Sequence, residues 1–391
     1  MSPLADFLET YTKDLTADDL QKLFTRDTKE AYKFLTRGQS KEAFKALPWH
    51  KRAIAEARVL FLAFTMKLSP ARRVVYGAAV VLAVLGLINL FRGIGITFVG
   101  PILPFGIKVG LPGPVFYDGT WSLFLAFALV NLLALLEVAD RLSLKNDLEV
   151  ARDIQQAMLP SGMYSAPGLE TIGSSRPANT VGGDLYDILP LDDGRLVITV
   201  GDVAGKGSPA ALLMALLVAM LRVLVDERLE PADLVARLNA QVCRHAPGSR
   251  FITLFYAVFD PATGRLTYVN AGHTQPLLLR NGGVFERLTE GGIALGMFQG
   301  SIYHTGAVTI EPNELLAIYS DGITEAENPS GRPFDEAGLE AALAANARQD
   351  LSAIGTAIMR AVERHTADTR LGDDLTILLL RRTPMATAAA V

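Results

Sequence analysis

Two uncharged runs restrict this chain more than any other feature: VVYGAAVVLAVLGLINLF from Val74 to Phe91, and GTWSLFLAFALVNLLALL from Gly119 to Leu136. Each has 18 residues, and a helix of that length covers about 27 Å, close to the hydrocarbon core of a bilayer. Two such runs so near each other predict two transmembrane helices. The alternative is an apolar hairpin buried in a soluble domain. The connector GIGITFVGPILPFGIKVGLPGPVFYDG is too rich in Gly and Pro for a third regular span. Lys51, Arg52, Arg58, Lys67, Arg72 and Arg73 precede the first run, and Arg141, Lys145 and Arg152 follow the second, whereas the connector holds only Arg92 and Lys108. The bias of cations toward cytoplasmic loops then puts both chain ends in the cytoplasm and the connector outside. The expected location is the inner (cytoplasmic) membrane, crossed more than once, with the lipid bilayer as a partner. The first run starts too late, and lacks the cleavage site, for a secretory signal peptide.

Residues 1–70 read as short helices of mixed charge with no recognisable chemistry. After the second run, residues 137–160 continue as a linker helix without Gly or Pro until Pro160 ends it. Leu144, Leu148, Ala151, Ile154 and Met158 recur at three- and four-residue steps and give that helix one apolar face. Such a face suits a signalling helix and a homodimer seam; the alternative is a linker packed on its own domain. Charge divides at the same place: residues 1–145 carry 18 Lys and Arg against 12 Asp and Glu, residues 146–391 carry 19 against 29, and Lys206 is the single lysine of the later part. That acidity argues against nucleic acid as a partner, because binding it needs clustered cations. The one cysteine, Cys243, rules out an intrachain disulfide. In CRHAPGSR six residues separate it from Arg250, one more than a cysteine-phosphatase loop allows, which leaves a small thiol on a helix face.

From residue 168 to 382 the pattern becomes strands and turns: RLVITVGD, FITLFYAVFD, GRLTYVNAG, PLLLRNGG, LLAIYSDG and LTILLLRR, with PATG and NGG at hairpin spacing. Helices are expected at Pro209–Val225, at Pro231–Cys243 and, as one element, around Asp335–His365. Antiparallel strands with segregated helices define an α+β fold class. Residues 383–391 read as a disordered tail.

The segment RLVITVGDVAGKGSPAALLMA ends an apolar strand in Asp202, turns on glycine and enters a helix. As a phosphate loop it fails, since Gly201 and Gly205 are one residue too close and Gly207 follows Lys206 where a hydroxyl is needed. Ser208 instead suits an N-cap, with Pro209 at the first helical position. The working group is then Asp202. Asp184 in VGGDLYD, Asp321 in IYSDGITE, and Asp373 with Asp374 in LGDDLTI also sit at strand edges. One such aspartate is usually a turn former. Several together, mostly beside glycine, read as carboxylates gathered around cations, and oxygen-only donors suit Mg²⁺ or Mn²⁺ better than zinc.

VGGDLYD, GDVAGKGSPAALLMA, VNAGHTQPLLL, YSDGITEA and GDDLTILLL stand in the order found in the SpoIIE/RsbU-like branch of the metal-dependent type 2C Ser/Thr protein phosphatases, and ARDIQQAMLP resembles the helix leading into that domain. The resemblance covers about Leu148–Arg382. It implies two packed antiparallel β-sheets flanked by helices and two divalent cations, Mn²⁺ or Mg²⁺, at one end of the sandwich. It further implies Asp202 as the bridging ligand with the Val203 carbonyl, and Asp184, Asp321 and Asp373 as the other metal-site acids, with Asp374 beside the last counted among the metal ligands too. Asp184 and Asp202 would carry the catalysis: paired cations acidify a bridging water for in-line attack on phosphorus, with no covalent intermediate. The implied substrate is a phosphoserine or phosphothreonine protein, for which a STAS-type anti-anti-sigma regulator is an example.

The chain departs from the wider class at Ala204, where eukaryotic members place a histidine, so no side chain is assigned as leaving-group acid. Arg176 is a candidate phosphate binder against a plain surface arginine. His273 is a candidate acid against a turn histidine bonded to backbone, and Lys206 reads as facing solvent. The function expected is a membrane-tethered phosphoprotein phosphatase in bacterial signalling. A catalytically silent receptor on the same fold is the alternative, and the failed loop count disfavours an ATPase.

Overall fold

The structure is a computed structural model that describes residues 68–92, 117–246, 250–367 and 371–384, together with Pro48 and Thr65. The expectations for most of residues 1–70, for most of the connector and for most of the tail lie outside the described residues. The chain forms two compact units, Met1–Leu142 and Ser143–Val391.

In the first unit both apolar runs are helical: α1 is Pro70–Arg92 and α2 is Tyr117–Met158. Pro70 opens α1, where its missing N–H costs nothing. Arg72 binds Asp140 at 2.7 Å and reaches Glu137 at 3.5 Å, so the start of α1 and the later part of α2 lie together. Gly86 allows the helices to touch, since a Cβ there would lie 2.7 Å from Leu123 Cγ. Both helices are long and apolar enough to cross a membrane. α2 runs unbroken through the expected linker, because no Gly or Pro interrupts it after Gly119.

The second unit holds the end of α2 and two sheets. One sheet has the order β1-β2-β12-β11-β7-β8, from Met163–Ala166, Leu169–Arg176, Leu375–Arg382, Leu315–Tyr319, Leu277–Leu279 and Phe285–Arg287. The other has the order β10-β6-β5-β4-β3, from Gly306–Thr309, Arg265–Ala271, Ile252–Asp260, Leu196–Val203 and Leu185–Pro190. The short β9, Gly291–Gly292, runs parallel beside β6, and every other pairing is antiparallel. Alternation along β4 explains the sandwich: Leu196, Ile198 and Val200 join Phe255, Phe259, Ile318 and Leu378 in one core. Val197 and Val203 instead pack with the helices α3 (Ser208–Val225) and α4 (Pro231–His245). On the far side Ala317 and Tyr319 meet α6 (Asp335–Asn346) and α7 (Leu351–Thr366) through Leu339, Ile354 and Ile358. With both faces of their strands covered, β4 and β12 read as continuous apolar runs. α3 is also long and apolar enough for a membrane, yet its Leu213, Met214, Leu217 and Leu221 belong to this core.

Four local expectations are corrected. The helix expected over Asp335–His365 is two, because the Asp350 carboxylate accepts from Ala353 N at 2.8 Å and caps a new start. Ser208 is the first helical residue rather than the cap; Gly207, at φ 75°, takes that place, and no side chain caps the helix. α4 runs to His245, past Cys243. The sheet begins at Met163 rather than residue 168, through a short half-exposed strand with no apolar signal.

Candidate active site

The acidic residues meet at one end of the sandwich because of strand register. Asp202 is the penultimate residue of β4, and Leu185 of β3 pairs with Gly201. The next residue back, Asp184, therefore falls opposite Asp202. Like charges directly opposite in a ladder are destabilising, and Asp184 is buried besides. The second sheet brings the others: Asp321 opens α5 (Asp321–Thr324) just after β11, and Asp373 and Asp374 precede β12. The loops interlock at Gly322, where a Cβ would run into the Asp374 carbonyl. Gly183 packs as closely: a Cβ there would lie 3.0 Å from the Val203 carbonyl and 3.5 Å from Asp202 Oδ1.

The electrostatics register the crowding. Burial first, and then the Asp202 charge, push the Asp184 carboxyl well above the usual carboxylate range. Burial and then Asp321 raise Asp202 to about 6, with Asp373 and Asp374 adding to the rise. Burial, Glu325 and Asp373 raise Asp321. One oxygen of Asp184, Oδ2, is buried with no hydrogen-bond donor among the described residues. A buried carboxylate oxygen without a donor, beside other carboxylates and a backbone carbonyl, is a donor set suited to a hard divalent cation. Among the described residues no three of these groups form a closed metal cage; they are electrostatic neighbours.

The remaining sequence candidates separate. Asp374 accepts backbone N–H bonds from Ala178 (2.7 Å) and Gly183 (2.6 Å), with a longer one from Asp184 (3.4 Å), so its carboxylate pins the loop that carries Asp184. Lys206 does not simply face solvent: it pairs with Asp373 at 2.8 Å and donates to the Gly372 carbonyl. Arg176 ends β2 opposite Leu375, one residue from Asp374, and its guanidinium pairs with Glu363 of α7. His273 is buried and shares a 2.9 Å hydrogen bond with the Thr253 hydroxyl; burial lowers its pKa to about 4, against a smaller opposing effect of the Tyr319 backbone, so it is neutral.

Sequence reasoning passed over Gln155. From the last turns of α2 its carboxamide donates to the Gly182 carbonyl at 2.7 Å and accepts from the Gly182 N–H at 3.1 Å. It holds the same loop as Asp374. The signal was present in QQAMLP, a polar pair near the end of an apolar-faced helix, but no periodicity says what a glutamine binds.

The sandwich with carboxylates crowded at one end defines the class: the domain has the type 2C phosphatase fold, whose members are metal-dependent. It superimposes with a TM-score of 0.55 on the SiaA-PP2C domain of Pseudomonas aeruginosa, at 22% identity, covering 62% of this chain and 98% of that one. Residues 192–383 match the family described as Stage II sporulation protein E (SpoIIE), which supports the SpoIIE/RsbU-like resemblance of the domain. Among curated relatives, Protein IcfG of Synechocystis is 33% identical over 228 residues, which is 51% of this chain but only 36% of IcfG. Phosphoserine phosphatase RsbU of Bacillus subtilis is 28% identical over 243 residues, 61% of this chain and 71% of RsbU.

Proposed function

We propose that the chain is a membrane-tethered phosphoprotein phosphatase that removes phosphate from serine or threonine in bacterial signalling. The observation that carries this reading is the opposed pair Asp184 and Asp202, the first buried with one carboxylate oxygen that has no donor among the described residues, the second half-buried beside it. Asp184, Asp202, Asp321 and Asp373, with the Val203 carbonyl, would hold two divalent cations, Mn²⁺ or Mg²⁺. When bound, such cations supply Lewis-acid chemistry, drawing charge from phosphoryl oxygens and acidifying a water for in-line attack. The chain's own part is placement. Asp374 and Gln155 fix the loop before Asp184, Gly183 and Gly322 let backbones approach, and Lys206 orients Asp373.

The name of the RsbU relative favours phosphoserine, and the family resemblance favours a phosphorylated STAS-type regulator as substrate. The helices α1 and α2, joined at one end by Arg72 and Asp140, support a membrane hairpin with the catalytic domain in the cytoplasm. Leu144 and Ile154 stay exposed on α2 and support a homodimer through that helix. The test uses the full chain in detergent. Phosphate release from a phosphoserine peptide should require Mn²⁺ or Mg²⁺, stop with EDTA and vanish in Asp202→Asn. Turnover that survives this substitution overturns the assignment.

A further inference from the structure

The loop from Gly291 to His304 stands out in a domain that is otherwise acidic. From Gly291 through Ile310 there is no Asp, Glu, Lys or Arg. Its ends are tied, since the His304 N–H donates to the Gly291 carbonyl at 3.0 Å, as in compact surface loops that carry function. At its tip Met297, Phe298 and Ile302 are 50%, 66% and 76% exposed, and Ile293 and Phe251 beside them are also exposed.

This exposure is built rather than frayed. The buried Asn239 of α4 braces the tip from below: its Oδ1 accepts from Gly296 N at 2.8 Å and its Nδ2 donates to the Phe298 carbonyl at 2.9 Å. Tyr303 is buried while its neighbour Ile302 points out. Holding several large apolar side chains in water on a braced loop marks a protein-binding surface.

Its place says what binds. Leu295 and Ile252 exchange backbone hydrogen bonds at 2.8 and 2.9 Å, and Ile252 pairs with Val203. The loop is thus two strand spacings, about 10 Å, from the residue next to Asp202. Phe251 accepts from Ala204 N at 2.9 Å and joins the patch to the turn beyond Asp202.

Resting on the phosphatase reading, we infer that this loop is the docking surface for the folded phosphoprotein substrate. It receives an apolar patch next to the phosphoserine and sets that residue at the carboxylates. An uncharged face also avoids the repulsion that the rest of the acidic domain imposes on an acidic partner.

The test compares the full chain with Met297→Ser/Phe298→Ser/Ile302→Ser on two substrates, p-nitrophenyl phosphate and the serine-phosphorylated STAS-domain proteins of the same organism. The variant should keep kcat/KM on the small ester within about twofold and lose about tenfold or more on the phosphoprotein, mostly in KM. Asn239→Ala, which frees the tip without altering its apolar side chains, should show the same split more weakly. Equal kcat/KM on the phosphoprotein overturns the docking surface while leaving the phosphatase reading intact. So does a wild type that hydrolyses the ester but none of the phosphoproteins. So does a change confined to self-association, measured by sedimentation, which would make the patch a contact between two copies. Failure of the wild type on both substrates sinks the phosphatase reading itself.

Discussion

Gln155→Ala removes two hydrogen bonds from one glycine and nothing else from the loop that presents Asp184. The carboxamide contacts Gly182 through both its N–H and its carbonyl, at 3.1 and 2.7 Å. At about 0.5–1.5 kcal/mol net for each bond, the loop loses roughly 1–3 kcal/mol of ordering. If all of that loss is felt when Asp184 takes up a cation, Mn²⁺ affinity falls about 5- to 150-fold. Gln155→Glu keeps an acceptor for the Gly182 N–H but loses the donor, so it should fall between wild type and alanine. Calorimetric titration of the full chain with Mn²⁺ reads the effect without turnover. An affinity within twofold of wild type, with the thermal midpoint unchanged, would refute the claim that α2 holds the site together. A lowered midpoint with normal Mn²⁺ affinity would show that Gln155 supports the fold alone.

Other consequences follow from single contacts. Arg222 binds the carboxylate of Asp187 at 2.8 Å and the Met158 carbonyl at 2.7 Å, and Asp187 is buried. Arg222→Ala strands that charge and should cost about 3 kcal/mol, seen as a drop in the thermal midpoint, with Arg222→Met/Asp187→Leu recovering much of it. Gly322→Ala forces a Cβ against the Asp374 carbonyl and should destabilise the domain by about 2–3 kcal/mol while lowering phosphatase turnover. His273 is neutral in the fold, with its pKa lowered by burial to about 4, whereas the unfolded chain takes up a proton near 6.5. The unfolded state then binds more protons between these values, so its contribution is intact above pH 6.5 and is lost as pH falls toward 4. That loss is about 2 kcal/mol by pH 5. The raised Asp184 and Asp202 contribute with the opposite sign over the same range, so the loss is read as the stability of wild type minus that of His273→Asn, by chemical unfolding at pH 7 and pH 5.

The apolar strands and both long helices were legible because a strand covered on both faces, like a helix long enough to cross a bilayer, leaves an unbroken apolar run in the sequence. The acidic cluster was legible for a different reason. Strand-edge aspartates beside glycine are individually ordinary, and only their repetition at Asp184, Asp202, Asp321 and Asp373 pointed to one place. What the sequence hid was the direction of side chains after the chain turns. Asp373 and Asp374 are adjacent, yet one faces Lys206 and the other binds three backbone amides. Arg176, a candidate phosphate binder from its place before Asp184, pairs with Glu363, a residue far along the chain. The split between α6 and α7 depends on one capping carboxylate, Asp350, inside a stretch whose composition is helical throughout.

Mn²⁺ binding to the full chain, followed by calorimetry in wild type, Asp202→Asn and Asp184→Asn, tests the central claim most directly. The opposed carboxylates should bind Mn²⁺ in the wild type, and either substitution should weaken that binding by about a hundredfold or more, with hydrolysis of a phosphoserine peptide lost in parallel. Wild-type affinity for Mn²⁺ in both variants would contradict the account.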